Sequence, residues 1–328
     1  MLKYSLKRIL LIIPIMMGVV TLVFLLSLIT PGDPASMMLG SEATAEQKED
    51  LREELGLNKP IYVRYANYLY KIVTKFDFGT SYRTKRPVKD ELLIRYPVTI
   101  RLAFSSLALA ICISLPLGIV AAVKQYSKVD NIAMVTAMFG VSMPQFWLGL
   151  MLILLFAVKL RILPTSGITK WQGWILPVMT IGITSAAALT RNIRSSMLEV
   201  IRQDYIKTAR SNGASSFRVY MRHALKNAMI PILNVLGGQI CGQLGGSMMV
   251  ESVFSIPGLG KLMVDSISAR DFPVVQGGVI LIAFAASAIM IIVDILYTLV
   301  DPRVKSHFTK KAAKDRRPTG AKGRAVNA

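Results

Sequence analysis

The chain has 328 residues, 53% of them hydrophobic, and a formal net charge of +20 at pH 7. A single soluble core does not combine these properties. A multi-spanning membrane protein does, because apolar runs sit in lipid while Lys and Arg collect in the loops. Nucleic-acid binding is set aside, since it needs a basic face on a soluble fold and the cations here are interleaved with long apolar runs.

Residues 1–8 carry Lys3, Lys7 and Arg8 ahead of an apolar run at 9–30. That run is longer than the about 7–15 residues of a secretory signal core and reaches the about 20 needed to cross a bilayer, so it reads as an uncleaved first span. The segment 31–101 balances its charges and is expected to be partly helical. Thr44 and Gln47 make a capping box before residues 46–55, and Gly56 supplies a stop. Aromatics at 62, 65, 68 and 70 suit a second helix over 61–76 to the membrane surface, although a solvated helix and a docking surface both fit.

Apolar stretches at 102–123, 132–158, 175–190, 228–250 and 277–300 bring the expected spans to six, the fourth being the shortest. Pro14, Pro116 and Pro144 fall inside spans and predict kinks. The stub at 1–8, Lys124 and Lys128, the stretch 191–226 and the tail 301–328 hold most of the cations. They alternate on one side, which is therefore cytoplasmic, with both termini on it. The tail reads as a solvated, disordered extension near anionic lipid.

Between the fourth and fifth spans, 191–228 is long, basic and helical in period. Met197, Ile201 and Tyr205 recur at helix spacing, Ser211-Asn212-Gly213 allows a residue of positive φ, and Phe217, Tyr220, Ala224 and Ala228 resume the period. This predicts helix, sharp turn, helix, with small residues at Ala209, Gly213 and Ala214 able to seat the bend in a partner's groove. A plain connector between two spans fits the residues equally.

Polar groups at membrane depth usually face protein or water, so Gln239, Gln243 and Glu251 are pathway candidates, with Gln145 a weaker one. Gly238, Gly242 and Gly246 recur at four-residue steps and are expected to form a close-packing face. Asp294 is a candidate too, though a satisfied structural contact is equally expected of it.

No catalytic constellation appears. Cys112 and Cys241 lie in apolar runs and read as small packing residues, and neither His223 nor His307 has metal or triad spacing. Ser255-Ile-Pro-Gly-Leu-Gly260-Lys261-Leu262 lacks the first glycine and the hydroxyl residue of a phosphate loop. The chain is therefore expected to bind no metal or cofactor and to hydrolyse no ATP itself.

The stretch 191–228 resembles the cytoplasmic signature of permeases of ATP-binding-cassette (ABC) importers, and in detail the dipeptide/oligopeptide/nickel permease family. Supporting stretches are Pro31-Gly-Asp-Pro34, Glu54-Leu-Gly-Leu-Asn-Lys-Pro60, Phe76-Asp-Phe-Gly-Thr-Ser81, Leu163-Pro-Thr-Ser-Gly167, Val250-Glu-Ser-Val-Phe-Ser-Ile-Pro-Gly-Leu-Gly260, Arg270-Asp-Phe-Pro-Val-Val-Gln276 and Asp301-Pro-Arg303. The resemblance covers about residues 1–305 and implies an all-α type I importer permease fold with a core domain over 102–300.

It also implies a coupling loop comprising Tyr205, Ala209, Arg210, Gly213, Phe217, His223 and Asn227. The implied partners are a second related permease, two ATPase subunits that bind ATP and Mg, and an extracytoplasmic substrate-binding protein, in the cell membrane of a prokaryote. Peptides are the expected cargo, with nickel chelates or glutathione as alternatives. An ion-coupled secondary carrier is the reading from a different class, and no inverted repeat supports it. One departure stands out: where the broader signature has Glu-Ala-Ala and then Gly, this chain has Lys207, Thr208, Ala209 and Gly213.

Overall fold

The computed structural model describes residues 2–29, 32–40 and 42–300, and no strand occurs among them. The basic tail at 301–328 lies outside the described residues.

Helix α1 (Leu2–Ile29) is the first of four helices long and apolar enough to cross a membrane. Beyond it, Asp33 caps α2 (Pro34–Leu39) by accepting from the Ser36 N–H at 3.0 Å, and Pro34 takes the first helical position, where no N–H is required. Arg52 of α3 (Ala45–Glu54) donates to the other Asp33 oxygen at 3.1 Å and ties the two helices together. The capping box of α3 forms as the sequence predicts, Thr44 Oγ1 accepting from Gln47 N–H and Gln47 Oε1 from Thr44 N–H.

Helix α4 (Ile61–Lys75) packs Tyr68, Leu69 and Ile72 on Val20 and Ile280. The Phe24 ring lies 5.2 Å from that of Tyr65, so α4 sits at the depth of the outer part of α1. Tyr62, Tyr70 and Val73 remain exposed.

Helix α5 (Val88–Val123) begins well before the expected 102, and its 36 residues exceed what a lipid core needs. The expected third span is broken. Helix α6 (Lys128–Ser142) meets α7 (Gln145–Leu152), continued by a π-turn at Ile153–Lys159, at a bend of 100°. Pro144 is the cause: its ring disfavours helix at the preceding residue, and Met143 is extended (φ −76°, ψ 124°). Pro14 and Pro116 lie within uninterrupted helices.

Helix α8 (Ile175–Ile201), entered by a 3-10 turn at Trp171–Trp174, is longer than the expected 175–190 and lies at the centre, against α5, α6 and α7. There follow α9 (Asp204–Ser211), α10 (Ser216–Arg218), a π-turn (Val219–Ala224) and α11 (Leu225–Leu244). Gly246 (φ +96°) turns the chain into α12 (Met248–Val253), α13 (Leu259–Ser268) and α14 (Phe272–Val300).

By length and composition, α1, α5, α8 and α14 are spans, and the bent pair makes a fifth. The sixth expected crossing corresponds to α11, which ends at 244 rather than 250. Asn227, Asn234, Gln239 and Gln243 make it more polar than the others. Arg8 meets Asp294, and Asp130 meets Arg194, so the start of α1, the α5–α6 turn, the 191–228 stretch and the end of α14 share one end of the bundle. The outward faces of α1 and α6 carry Leu10, Ile13, Leu22, Ile132, Met138 and Phe139, as contact with lipid requires. Cys112 is exposed among such residues rather than packed, whereas half-buried Cys241 packs against α14, its thiol 3.6 Å from the Ala286 carbonyl oxygen.

Candidate coupling and pathway sites

The hairpin predicted from 191–228 forms with Gly213 at its bend. The Gly213 N–H donates to the Arg210 carbonyl at 2.9 Å and the Ala214 N–H to the Ala209 carbonyl at 3.2 Å, closing α9 with a left-handed residue at φ +80°. Ile206 is buried beneath it with Val219, Ala224 and Ala228, against Ile193, Met197 and Ala122. That shared core fastens the hairpin to the ends of α5 and α8.

Arg210 braces the two arms, donating to the Tyr220 hydroxyl at 3.1 Å and lying over its ring. Tyr205 meets Asn227, whose amide donates to the His223 carbonyl at 2.7 Å; partial burial raises the Tyr205 hydroxyl pKa, and the Asn227 hydrogen bond opposes this. Of the seven predicted residues, Tyr205, Arg210, Gly213, Phe217 and Asn227 are exposed, whereas Ala209 and His223 are half-buried. Phe217 is 76% exposed, and Met221, one helical turn on and absent from the sequence-based set, is exposed beside it. The hairpin thus presents an exposed apolar pair on a basic, braced surface.

Three of the predicted pathway residues converge on α8. Gln239 donates to the Ser185 carbonyl at 3.2 Å, Gln243 to the Ser185 hydroxyl at 3.1 Å, and Gln145, just past the Pro144 bend, to the Thr184 hydroxyl at 3.2 Å. The Oε1 atoms of Gln239 and Gln243 are buried with no hydrogen-bond partner among the described residues.

The glycine face is not the packing face expected. A Cβ on Gly238 or Gly242 would meet nothing within 4 Å, Gly246 is a turn residue that packs closely on the Gly260 backbone rather than on a neighbouring span, and it is Gly237 that abuts Val293. A one-residue step rotates the side-chain direction by about 100°, so spacing alone could not say which glycine packs.

Glu251 is architectural. It is fully buried, its Oε1 accepting from the Thr99 hydroxyl at 2.8 Å and its Oε2 from the Lys261 N–H at 2.9 Å. The carboxylate thus caps the start of α13, and a Cβ on Gly258 would fall 2.4 Å from Oε2. Burial raises its pKa, and the hydrogen bonds, one from the Gly260 N–H, pull it back. This accounts for Glu251, Gly258 and Gly260 in that stretch. Asp294 pairs with Arg8 at 3.1 Å and ties α14 to α1, the structural contact that was one of its two expectations.

The sequence reading missed Asp130 and Arg194. Asp130 is 1% exposed, and Arg194 grips it in fork geometry at 2.5 and 2.7 Å, while the Tyr126 N–H donates to the same carboxylate at 2.9 Å. Ser127-Lys-Val-Asp130, a helix start, was the available signal; its partner 64 residues on was not. No group of His, Cys, Asp and Glu among the described residues could hold a metal.

Residues 114–306 match the family described as "Binding-protein-dependent transport system inner membrane component", and residues 1–103 match "Binding-prot-dependent transport system membrane comp, N-term". The chain is 41% identical over 305 residues to the Glutathione transport system permease protein GsiC of Escherichia coli (strain K12), covering 93% of this chain and 99% of that protein. The corresponding protein of Salmonella choleraesuis (strain SC-B67) matches equally. Among solved structures, an inward-facing MetNI methionine ABC transporter shares the fold, with a TM-score of 0.53 at 19% identity, over 65% of this chain and 97% of that one. The chain therefore belongs to the binding-protein-dependent inner membrane components and is a permease subunit of an ABC importer.

Proposed function

We propose that this chain forms half of a membrane route for short peptides and that the hairpin at Gly213 receives the stroke of separate ATPase subunits. The observation that carries this is the exposure of Tyr205, Phe217 and Met221 on a hairpin whose core continues into α5 and α8. A rigid connection of this kind passes a push at the tip to the spans. The assembly comprises a second related permease, two ATPase subunits holding ATP and Mg, and an extracytoplasmic binding protein, with both termini of this chain in the cytoplasm.

Glutathione, a tripeptide, is the first cargo to try, because relatives 41% identical along almost their whole length bear that name. Asp294 and Glu251 are both engaged by protein partners, which favours this reading over an ion-coupled carrier.

The reading is tested in proteoliposomes containing the full assembly, by ATP-driven uptake of labelled glutathione and of a dipeptide. Phe217→Asp is expected to lower uptake at least tenfold with thermal stability unchanged, because the side chain packs on little of its own chain. Gly213→Trp is expected to do the same, with about 1–2 kcal/mol of destabilisation from a side chain at positive φ. Wild-type coupling in both variants would exclude the hairpin as the coupling site.

A further inference from the structure

We infer that Gln239 and Gln243 supply the hydrogen-bond acceptors of the transport route and that these take N–H groups of the peptide cargo when α8 and α11 part. The inference rests on the peptide route proposed above.

Both amide nitrogens are committed to Ser185. The orientation of Gln239 is fixed, since the Ser185 carbonyl oxygen can only accept. The buried atoms left with no partner at all are the two oxygens, while each nitrogen keeps one of its two N–H groups bonded. Gln243 is 8% exposed, and a buried acceptor without a donor is a standing penalty that a native structure retains for a reason. Here two such acceptors lie one helical turn apart on a single helix.

The adjoining surface of α11 supports the assignment. Its exposed residues Asn227, Pro231, Asn234, Gly238 and Gly242 form one stripe at helical spacing. Beside the Leu, Ile and Phe of the lipid-facing helices this stripe is polar and small, and Gly238 and Gly242 stand in open space. Hydrocarbon does not solvate asparagine side chains, so such a face is turned to protein or to an aqueous route. Gln239 and Gln243 follow the two glycines by one residue each, at the edge of that stripe and on the seam with α8.

The charge pattern selects the ligand class. Neither 176–190 nor 227–244 contains Asp, Glu, Lys or Arg. A wall with acceptor oxygens and no fixed charge suits the backbone N–H groups of a short peptide and offers nothing to hold a metal chelate by its charge.

The test uses the full assembly in proteoliposomes, with labelled glutathione and dialanine as cargo, and the variants Gln239→Met, Gln243→Met and their double. Methionine keeps the length and removes the acceptor. The double variant is expected to lose at least tenfold in ATP-driven uptake while its thermal midpoint falls only slightly, because the bonds to Ser185 are lost together with the two unpaired buried acceptors. If the oxygens serve only packing or a structural water, uptake would stay at the wild-type level or fall only in step with the thermal midpoint, and either result overturns the inference. Gln239→Met alone, at a half-buried position, gives a several-fold loss with only a small fall in stability if the double variant does not assemble. Absence of peptide uptake by the wild-type assembly with its ATPases turning over defeats the peptide route itself. Normal wild-type uptake with insensitive variants defeats only the role of the two glutamines.

Discussion

Arg194→Ala is expected to destabilise the chain by about 3–5 kcal/mol, because it leaves the Asp130 carboxylate buried without its counter-charge. The reverse substitution costs less. In Asp130→Asn the guanidinium, whose side chain is 22% exposed, can turn towards water, and about 1–3 kcal/mol is expected. Replacing both residues together should be milder than the sum of the two, since neither leaves a charge behind. Thermal unfolding of the purified chain in detergent gives the ranking, and a strictly additive double variant would show that the two side chains do not form one unit.

Transport should suffer beyond stability. Helix α6 meets α8 at Asp130–Arg194 and again where a Cβ on Gly140 would lie 2.7 Å from Ala187, and α7 continues the contact at Gln145–Thr184. The ion pair thus holds the start of α6, whose far end is the Pro144 bend. Variants cooled until they are folded should still show fewer molecules transported per ATP hydrolysed than the wild type.

The second large effect is expected at the Glu251 cap. Gly258→Ala would set a methyl group 2.4 Å from Oε2, and overpacking alone costs about 1–3 kcal/mol. Displacing the carboxylate also unpairs the Lys261 N–H, at about 1–3 kcal/mol for a buried donor. Glu251→Gln should fail as well, despite its near-identical shape. Lys261 donates to one oxygen and Thr99 to the other, so the new NH2 group either faces the Lys261 N–H or takes the place of the Thr99 donation, and one hydrogen bond of the cap is lost either way. Both variants should unfold at lower temperature than the wild type. Wild-type stability of Glu251→Gln would show that the carboxylate does not act as the cap.

Much of this arrangement was legible in the residues. The capping box at Thr44 and Gln47 and the stop at Gly213 are local: each is set by groups within a few positions, and each forms as read, whereas the helical period around Gly213 is interrupted at Arg202–Gln203 and by the π-turn Val219–Ala224. The span ends were read less well. Hydropathy marks where a helix meets lipid rather than where it stops being a helix, so α5 and α8 run beyond their apolar cores. The third span was read as continuous because Pro144 interrupts the helix without interrupting the apolar composition.

By itself, the sequence determined that this is a membrane chain of long helices, where its cations fall, and that a hairpin with a left-handed glycine divides the fourth span from the fifth. Those properties are sums over near neighbours or single-residue backbone preferences. Only the tertiary structure decided which polar side chains act together. It brought Gln145, Gln239 and Gln243 to adjacent residues of α8, buried Glu251 as a helix cap, and paired Asp130 with Arg194. A hydrogen bond or a buried ion pair depends on distances between residues 10 to 152 positions apart in the chain, and one residue of register on a helix decides whether a glutamine faces its partner, the lipid or the route.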